Sequence, residues 1–447
     1  MLQRRAYPVL STTSIGIGRV RPGRCGVDPA TGDRRPAAGV FTATNALRLG
    51  MDAPAIRAVV HVVGTRAAVA GLCVGSRLLS SPPSSHGMSD NGRRGAPIAN
   101  VYLKAGFYQK LVPPGVSSVF SVRDTDLHRR YRRLLSGGMS ESSLKSMYPA
   151  IEANVNLAIQ NMREEMEKRG AADVFKWWMF MATDIIGELT FGESFRMLEQ
   201  KKKNQYSLDL ENAPFIGALR ATFPSFLYIS KFLPLPVFKR AAAATMRHYR
   251  DAEESVARHR RLELADPTNV KATLFSKLYK AEDDEQLSLK ETRDNALAYI
   301  VAGSDTTSNT LTYLVWAVCR HPHVKKALLN ELASFLPSHG FGDQELKQLP
   351  YLNGVIDETL RIYGAAASAL PRVVPPGGRL LLVAALAVTC IGVHLARMEL
   401  RLAAAKFFRA FPEANISGLE GMSDEDMEPT MYFLLSPKGK RCLVQAY

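Results

Sequence analysis

From about residue 97 onward, apolar side chains recur at the 3.6-residue period of helices that bury one face. Residues 141–170 carry Leu144, Met147, Ile151, Val155 and Ile159 along one such stripe, and Phe175 to Leu189 reads as a second, more uniformly apolar helix. The clearest helix begins at Ser288, where Ser288 and Glu291 have the spacing of a capping box. Its apolar pattern runs through Ala296–Ala302, Leu311 and Val315 to Cys319 and stops before Pro322. At 1.5 Å per residue this helix would be about 45 Å long, enough to cross a whole domain. Further helices are expected at Val324 to Leu336, around Gln344 to Ile362, and from Leu395 through Met398, Glu399, Leu400 and Phe407 to Phe411. Strand signals are sparse, the best being Ala369 to Val374 and Met431 to Leu435. Phe223 to Phe238 is aromatic but broken by Pro224, Pro234 and Pro236, and suits a membrane-dipping loop or a buried connection equally. The pattern predicts a mainly α fold with a small β part.

Residues 1–96 have a different texture, rich in Arg, Ala, Gly and Ser, and are expected to be poorly ordered. They hold thirteen Arg and no Lys against four Asp, so most of the chain's net charge of +15 lies in its first fifth. The acid-free stretch Met1 to Gly26, with Arg4, Arg5, Arg19, Arg21 and Arg24, has the look of a transit peptide; an unstructured tail or a gene-model artefact would look the same. A nucleic-acid-binding arm would interleave aromatics with its arginines, and only Tyr7 and Phe41 occur here, which argues against a nucleic-acid partner. The five cysteines are odd in number and widely spaced with no CxxC pair, which disfavours a disulfide scaffold or a structural zinc site. No clean membrane span stands out: Ala58 to Gly75 is interrupted by His61 and Arg66, and Leu380 to Val393 is too short.

Four constellations carry candidate chemistry. In the middle of the long helix stand Ala302, Gly303, Ser304, Asp305, Thr306 and Thr307. Such poor helix formers suggest a local opening of the hydrogen-bond ladder, and an acid beside an alcohol can relay protons. The plainer alternative is a polar helix face, or a helix crossing at Gly303. Glu358 and Arg361 are spaced to pair on one helix face, as many solvated pairs are. Cys390-Ile391-Gly392 precedes an amphipathic helix whose dipole would favour a thiolate; a buried structural cysteine is the plainer alternative. The basic run His128 to Arg133 is either a solvated face or a clamp for carboxylates or phosphates.

In their order and separation these segments resemble the cytochrome P-450 family, over roughly 97–378 and 390–447. The Ala302–Thr307 segment is similar to the family's oxygen-activating helix, with Asp305 and Thr306 as the acid–alcohol pair. Glu358 and Arg361 match its ExxR pair. His128 and Arg132 match the propionate-binding helix, and Leu370-Pro371-Arg372 the strand whose Arg contacts a propionate. Cys390 and Gly392 match the end of the haem-ligand signature, and Phe433 to Gly439 resembles the C-terminal hairpin. The texture is that of fungal secondary-metabolism members.

The resemblance implies a cytochrome P-450 fold from 97 to 447, with haem ligated by Cys390 and contacted by Ala302, Gly303 and Gly392. It further implies O2, an apolar small-molecule substrate, an NADPH-dependent flavoprotein reductase and a membrane surface, in the endoplasmic reticulum or, as the lesser alternative, in mitochondria. The departures lie before Cys390. Val383, Leu386 and Val388 stand where the signature has Phe, Gly and Arg. Only Arg379 to Thr389 occupy a junction where the family has several dozen residues, as though truncated between the ExxR helix and the cysteine-ligand helix. Two costs are expected: a buried Glu358–Arg361 pair short of a partner, and a Cys390 in apolar surroundings that raise its pKa. The rival reading is a non-catalytic or mis-spliced remnant that keeps the helices and binds no haem.

Overall fold

The computed structural model of the chain describes residues 103–211, 213–223, 236–266, 270–279, 286–335, 340–368, 370–373 and 390–446. The expectations for residues 1–96, for most of Phe223–Phe238 and for the junction 379–389 lie outside these residues. Eight long helices organise the rest: α1 Thr125–Ser136, α2 Glu141–Arg169, α3 Val174–Phe191, α4 Pro236–Ala265, α5 Leu289–Arg320, α6 Pro322–Phe335, α7 Pro350–Ile362 and α8 Val393–Ala410.

The local signals that predicted these helices are the ones that form them. Ser140 caps α2, and its Leu144, Met147, Ile151, Val155 and Ile159 are buried. Each such aliphatic side chain contributes roughly 1.5–3 kcal/mol by leaving water. The capping box of Ser288 and Glu291 closes the start of α5 as expected. α3 is apolar nearly all round and packs along α5 at the centre of the core. Gly303 permits their close approach, since a Cβ there would lie 2.7 Å from Ile186 Cγ1.

The run expected around Gln344 to Ile362 is two helices, because Pro350 lacks the N–H a continuing helix would need and instead opens α7. The carboxylate of Glu331 on α6 accepts from the N–H groups of Tyr351 (2.7 Å) and Leu352 (2.8 Å), satisfying two of α7's orphan donors.

The β part is small. β1 (Ala172–Asp173), β5 (Leu443–Gln445) and β2 (Asn415–Ile416) form an antiparallel sheet in the order β1-β5-β2. β3 (Pro429–Met431) and β4 (Leu435–Pro437) form a hairpin, so the expected strand Met431 to Leu435 is its turn. Of the strand expected at Ala369 to Val374, Arg372 forms a single antiparallel bridge with Lys104, flanked by Ala105 N–H to Pro371 O (3.2 Å) and Val373 N–H to Leu103 O (2.8 Å). Among the described residues no helix is long and apolar enough to cross a membrane.

Candidate haem and oxygen-activation site

The open side of α5 is where the predicted chemistry falls. Ala302 is exposed although it lies in the middle of the most central helix, and Thr306, one turn later, is partly so. Thr306 Oγ1 donates to Ala302 O at 2.7 Å. The expected opening of the ladder does not occur, and α5 runs unbroken from Leu289 to Arg320. Ser308, Thr310 and Thr312 donate back to the carbonyls of Ser304, Thr306 and Ser308 at 2.7–2.8 Å, so these hydroxyls supplement the helix instead of competing with it. Asp305 is partly buried beside Thr306. Gly303 lies where α5 crosses α3 at Ile186.

One turn before Ala302 lies Tyr299, which pattern reading left among the apolar positions. It is 5% exposed, stacks on Phe275 and, among the described residues, has no hydrogen-bond partner for its hydroxyl. Burial raises its pKa, and Arg132 and Cys390 both act on it electrostatically with opposite signs. The tyrosine thus marks where the basic helix α1 and the cysteine meet α5.

On α1 the basic run sorts by helical position. Arg129 pairs with Asp126 at the surface. Arg130 pairs with Glu291 (2.8 Å) and donates to Gln286 O, and Tyr131 also reaches Glu291 (3.2 Å). His128 and Arg132, four apart and therefore on one face, turn instead toward Lys104 and Arg372. Burial and these three cations hold the His128 imidazolium down to about 4. Lys104, 9% exposed, donates its ammonium to Val119 O (2.7 Å) and Phe120 O (2.8 Å). Lys104 and Arg372 each stand 5.6 Å from the centre of the Tyr108 ring. Among the described residues no carboxylate pairs with Lys104, His128 or Arg372. Lys104, His128 and Arg372 therefore converge beside Arg132 without pairing to a carboxylate among the described residues.

Cys390 lies just before α8, with Val393 N–H directed at its carbonyl (3.4 Å) and Gly392 as the N-cap. It is exposed, which corrects the expectation of a buried, apolar thiol. The other described cysteines, Cys319 and Cys442, are buried, and burial raises the pKa of both thiols. A Cβ on Gly392 would meet nothing within 4 Å, so the chain's own packing does not require glycine there.

Glu358 and Arg361 form the expected pair, with two contacts of 2.7 Å. Their side chains are 46% and 42% exposed, so the penalty expected for a buried pair does not arise. The hydrogen bond from Arg361 lowers the Glu358 carboxyl pKa.

Residues 93–376 match the family model for cytochrome P-450. The chain belongs to the cytochrome P-450 family. It is 40% identical over 397 residues to the cytochrome P-450 monooxygenase tazI of Aspergillus terreus, covering 78% of this chain and 81% of that one. It is 36% identical over 396 residues to the cytochrome P-450 monooxygenase orf2 of Aspergillus niger, with 77% and 80% covered. The fungal character read from the sequence is thereby borne out. The 397 aligned residues exceed 78% of 447 by several dozen, as expected for a chain with a segment shortened relative to such relatives. The cytochrome P450DA heme domain shares the fold at a TM-score of 0.61 and 16% identity, over 78% of this chain and 85% of that one.

Haem, which the P-450 family implies, can be tested against the residues present. A flat dicarboxylate macrocycle with an iron position open to an axial ligand needs an accessible thiol, an open helix face and unopposed cations. Cys390, the Ala302–Thr306 face and the Lys104–His128–Arg372 cluster beside Arg132 supply these, and the Tyr299 hydroxyl, without a partner among the described residues, adds a buried donor. The residues fit the group. Lys104 and Tyr299 escaped sequence reasoning; the only signal for Tyr299 was its place three residues before Ala302 on the α5 stripe.

Proposed function

We propose that this P-450 is a haem-thiolate monooxygenase of fungal secondary metabolism, inserting one atom of O2 into an apolar small molecule. In this reading Cys390 ligates the iron, His128, Arg132 and Arg372 hold the two propionates, and Ala302 and Gly392 border the macrocycle. When bound, the haem supplies the oxygen chemistry, with a thiolate ligand that favours O–O cleavage. The chain's own contribution is to hold and move protons. Thr306 keeps its hydroxyl proton on Ala302 O, which leaves Oγ1 turned to accept a hydrogen bond from the open side. Asp305 stands beside it as the acid that restores a proton there. Electrons are assigned to an NADPH-dependent flavoprotein reductase and the location to the endoplasmic reticulum membrane surface, both by family analogy.

The observation that supports this reading most strongly is the convergence of Lys104, His128 and Arg372 beside Arg132, with no carboxylate among the described residues paired to Lys104, His128 or Arg372, together with an exposed Cys390. Like charges gathered in a half-buried place are unfavourable unless an anion joins them. The test is the spectrum of the expressed full chain, reduced and treated with carbon monoxide. A red-shifted Soret band, lost in Cys390→Ser, is expected. Protein that stays colourless after supply of haemin, or a Cys390→Ser variant with the same visible absorption, would overturn the reading and return the chain to the non-catalytic remnant.

A further inference from the structure

Arg220 stands on the helix Ala213–Thr222, which lies close against the end of the helix Phe107–Leu111: a Cβ on Gly217 would sit 2.7 Å from Leu111 O. Arg220 comes three residues after Gly217 and so leaves near the same face of its helix. It is partly buried, its Nε is sealed from water, and among the described residues no hydrogen bond or ion pair reaches its guanidinium. The group that acts on it electrostatically is Tyr249 of α4. The Tyr249 hydroxyl is likewise buried without a partner among the described residues, while Arg293 of α5 lies 5.2 Å from the centre of its ring.

The carboxylate that acts on Tyr249, Asp294, is already engaged. It is fully buried and accepts from Arg293 (2.8 and 3.1 Å), Lys290 (2.8 Å) and the Ser117 N–H (3.0 Å). Two donors, one of them charged, therefore share a partly buried place with no acceptor paired to either among the described residues. Buried donors left unsatisfied destabilise a fold, and charged ones the more. The place also has a fixed relation to the chemistry. Asp294 lies eight residues before Ala302 on α5, on the same broad face and about 12 Å back along the helix axis.

We propose that Arg220, with the Tyr249 hydroxyl beside it, anchors the carboxylate of an otherwise apolar substrate whose body runs along α5 to Ala302 and Thr306. This rests on the reading of the open side of α5 as the oxygenation face, and it gives the apolar substrate an acidic end. The guanidinium offers a charge-assisted pair of hydrogen bonds. It stays a cation even though burial lowers its pKa. Burial raises the Tyr249 pKa to about 12, so the phenol keeps its proton and donates it. With the acid held at one end, the distance to Ala302 selects which carbon is presented for oxidation.

The probes are biphenyl-4-carboxylate and, as a neutral acceptor of the same shape, biphenyl-4-carboxamide, each titrated calorimetrically into the full chain supplied with haemin. Wild type is expected to bind the carboxylate about tenfold tighter or more, the difference a hydrogen-bonded charge makes. Arg220→Met should abolish that preference and leave carboxamide affinity within about twofold of wild type. Arg220→Lys keeps the charge without the planar fork and should retain only part of the preference. Tyr249→Phe should weaken both probes by about two- to tenfold.

Equal wild-type affinity for the two probes, binding of neither, or a preference that survives in Arg220→Met overturns the anchor. Should Arg220→Met fail to fold, an undiminished preference in Arg220→Lys overturns it instead. The carbon-monoxide spectrum of the same preparation keeps the two readings apart. A red-shifted Soret band without carboxylate preference sinks the anchor and leaves the oxygenase reading standing. Carboxylate preference in protein that stays colourless overturns the oxygenase reading, and with it the substrate role of the anchor.

Discussion

Arg401 on α8 and Lys104 on the bridge to Arg372 are both buried cations, and the chain treats them in opposite ways. Arg401 directs Nε and Nη2 at Asp343 Oδ1, at 2.8 and 2.6 Å, with both side chains under a tenth exposed, and Lys347 lies 3.2 Å from the other oxygen. Its charge is neutralised inside the protein, and the pair ties α8, the helix behind Cys390, to the segment that leads into α7. Lys104 has carbonyls, a tyrosine ring and the guanidinium groups of Arg372 and Arg132 around it. The first arrangement is complete in the polypeptide. In the second no carboxylate among the described residues pairs with Lys104, and in the proposed reading an anion from outside completes it.

The comparison breaks first at Asp343. Removing it strands Arg401 as a buried, uncompensated charge, so Asp343→Ala is expected to lose about 3–5 kcal/mol of stability in urea unfolding. A loss below about 1 kcal/mol would show that the pair is not buried in solution and would remove the contrast.

A smaller effect sharpens the comparison from the acid side. Glu399 on α8, 2% exposed, accepts a hydrogen bond from the Thr307 hydroxyl at 2.9 Å, its one hydrogen-bond partner among the described residues. Burial raises its carboxyl from 4.5 to about 8. The folded state therefore binds more protons than the unfolded one between those values, and this group makes stability fall as pH rises from 4.5 to 8, levelling off above. The slope is at most about 1.4 kcal/mol per pH unit. Lys104 acts oppositely, since its folded-state value is lowered to about 7 and stability is regained as pH rises above that. His128, lowered to about 4, likewise adds stability as pH rises from there to 6.5. The useful quantity is thus the difference between wild type and Glu399→Gln, which keeps a neutral partner for Thr307. Thermal melts from pH 5 to 8 should show the variant gaining on the wild type at each step; parallel curves would mean that Glu399 is solvated.

How much of this the sequence carried depends on the range of each signal. The course of α5 was legible because a capping box, an apolar stripe and Pro322 are all local. His128, Arg132, Arg372 and Cys390 were legible through spacing that resembles a family, and the fold brings the three bases into one cluster. Lys104 was not, because its partners, from Val119 to Arg372, come together only in the tertiary fold. Glu399 lay on a named stripe between Met398 and Leu400, where burial could be read but its consequence for an acid was passed over. For Gly303 the residue type allowed a helix crossing, and only the position of Ile186 shows it. The spacing of Glu358 and Arg361 gave the pair but not its surroundings.

That last pair provides the smallest effect and the cleanest control. Glu358 and Arg361 use the same two guanidinium nitrogens as Arg401 does on Asp343, at 2.7 Å but to both carboxylate oxygens, and differ in being nearly half exposed. In water-accessible surroundings the attraction is screened and the side-chain ordering cost offsets most of it, so an exposed pair contributes about 0–1 kcal/mol. Glu358→Ala should therefore shift the urea midpoint of the haem-free protein only slightly, and less still at high ionic strength. A loss matching that of Asp343→Ala would mean that this helix face is covered in solution. The ExxR pair would then have to be counted, with Arg401 and Asp343, among the charges the chain neutralises internally.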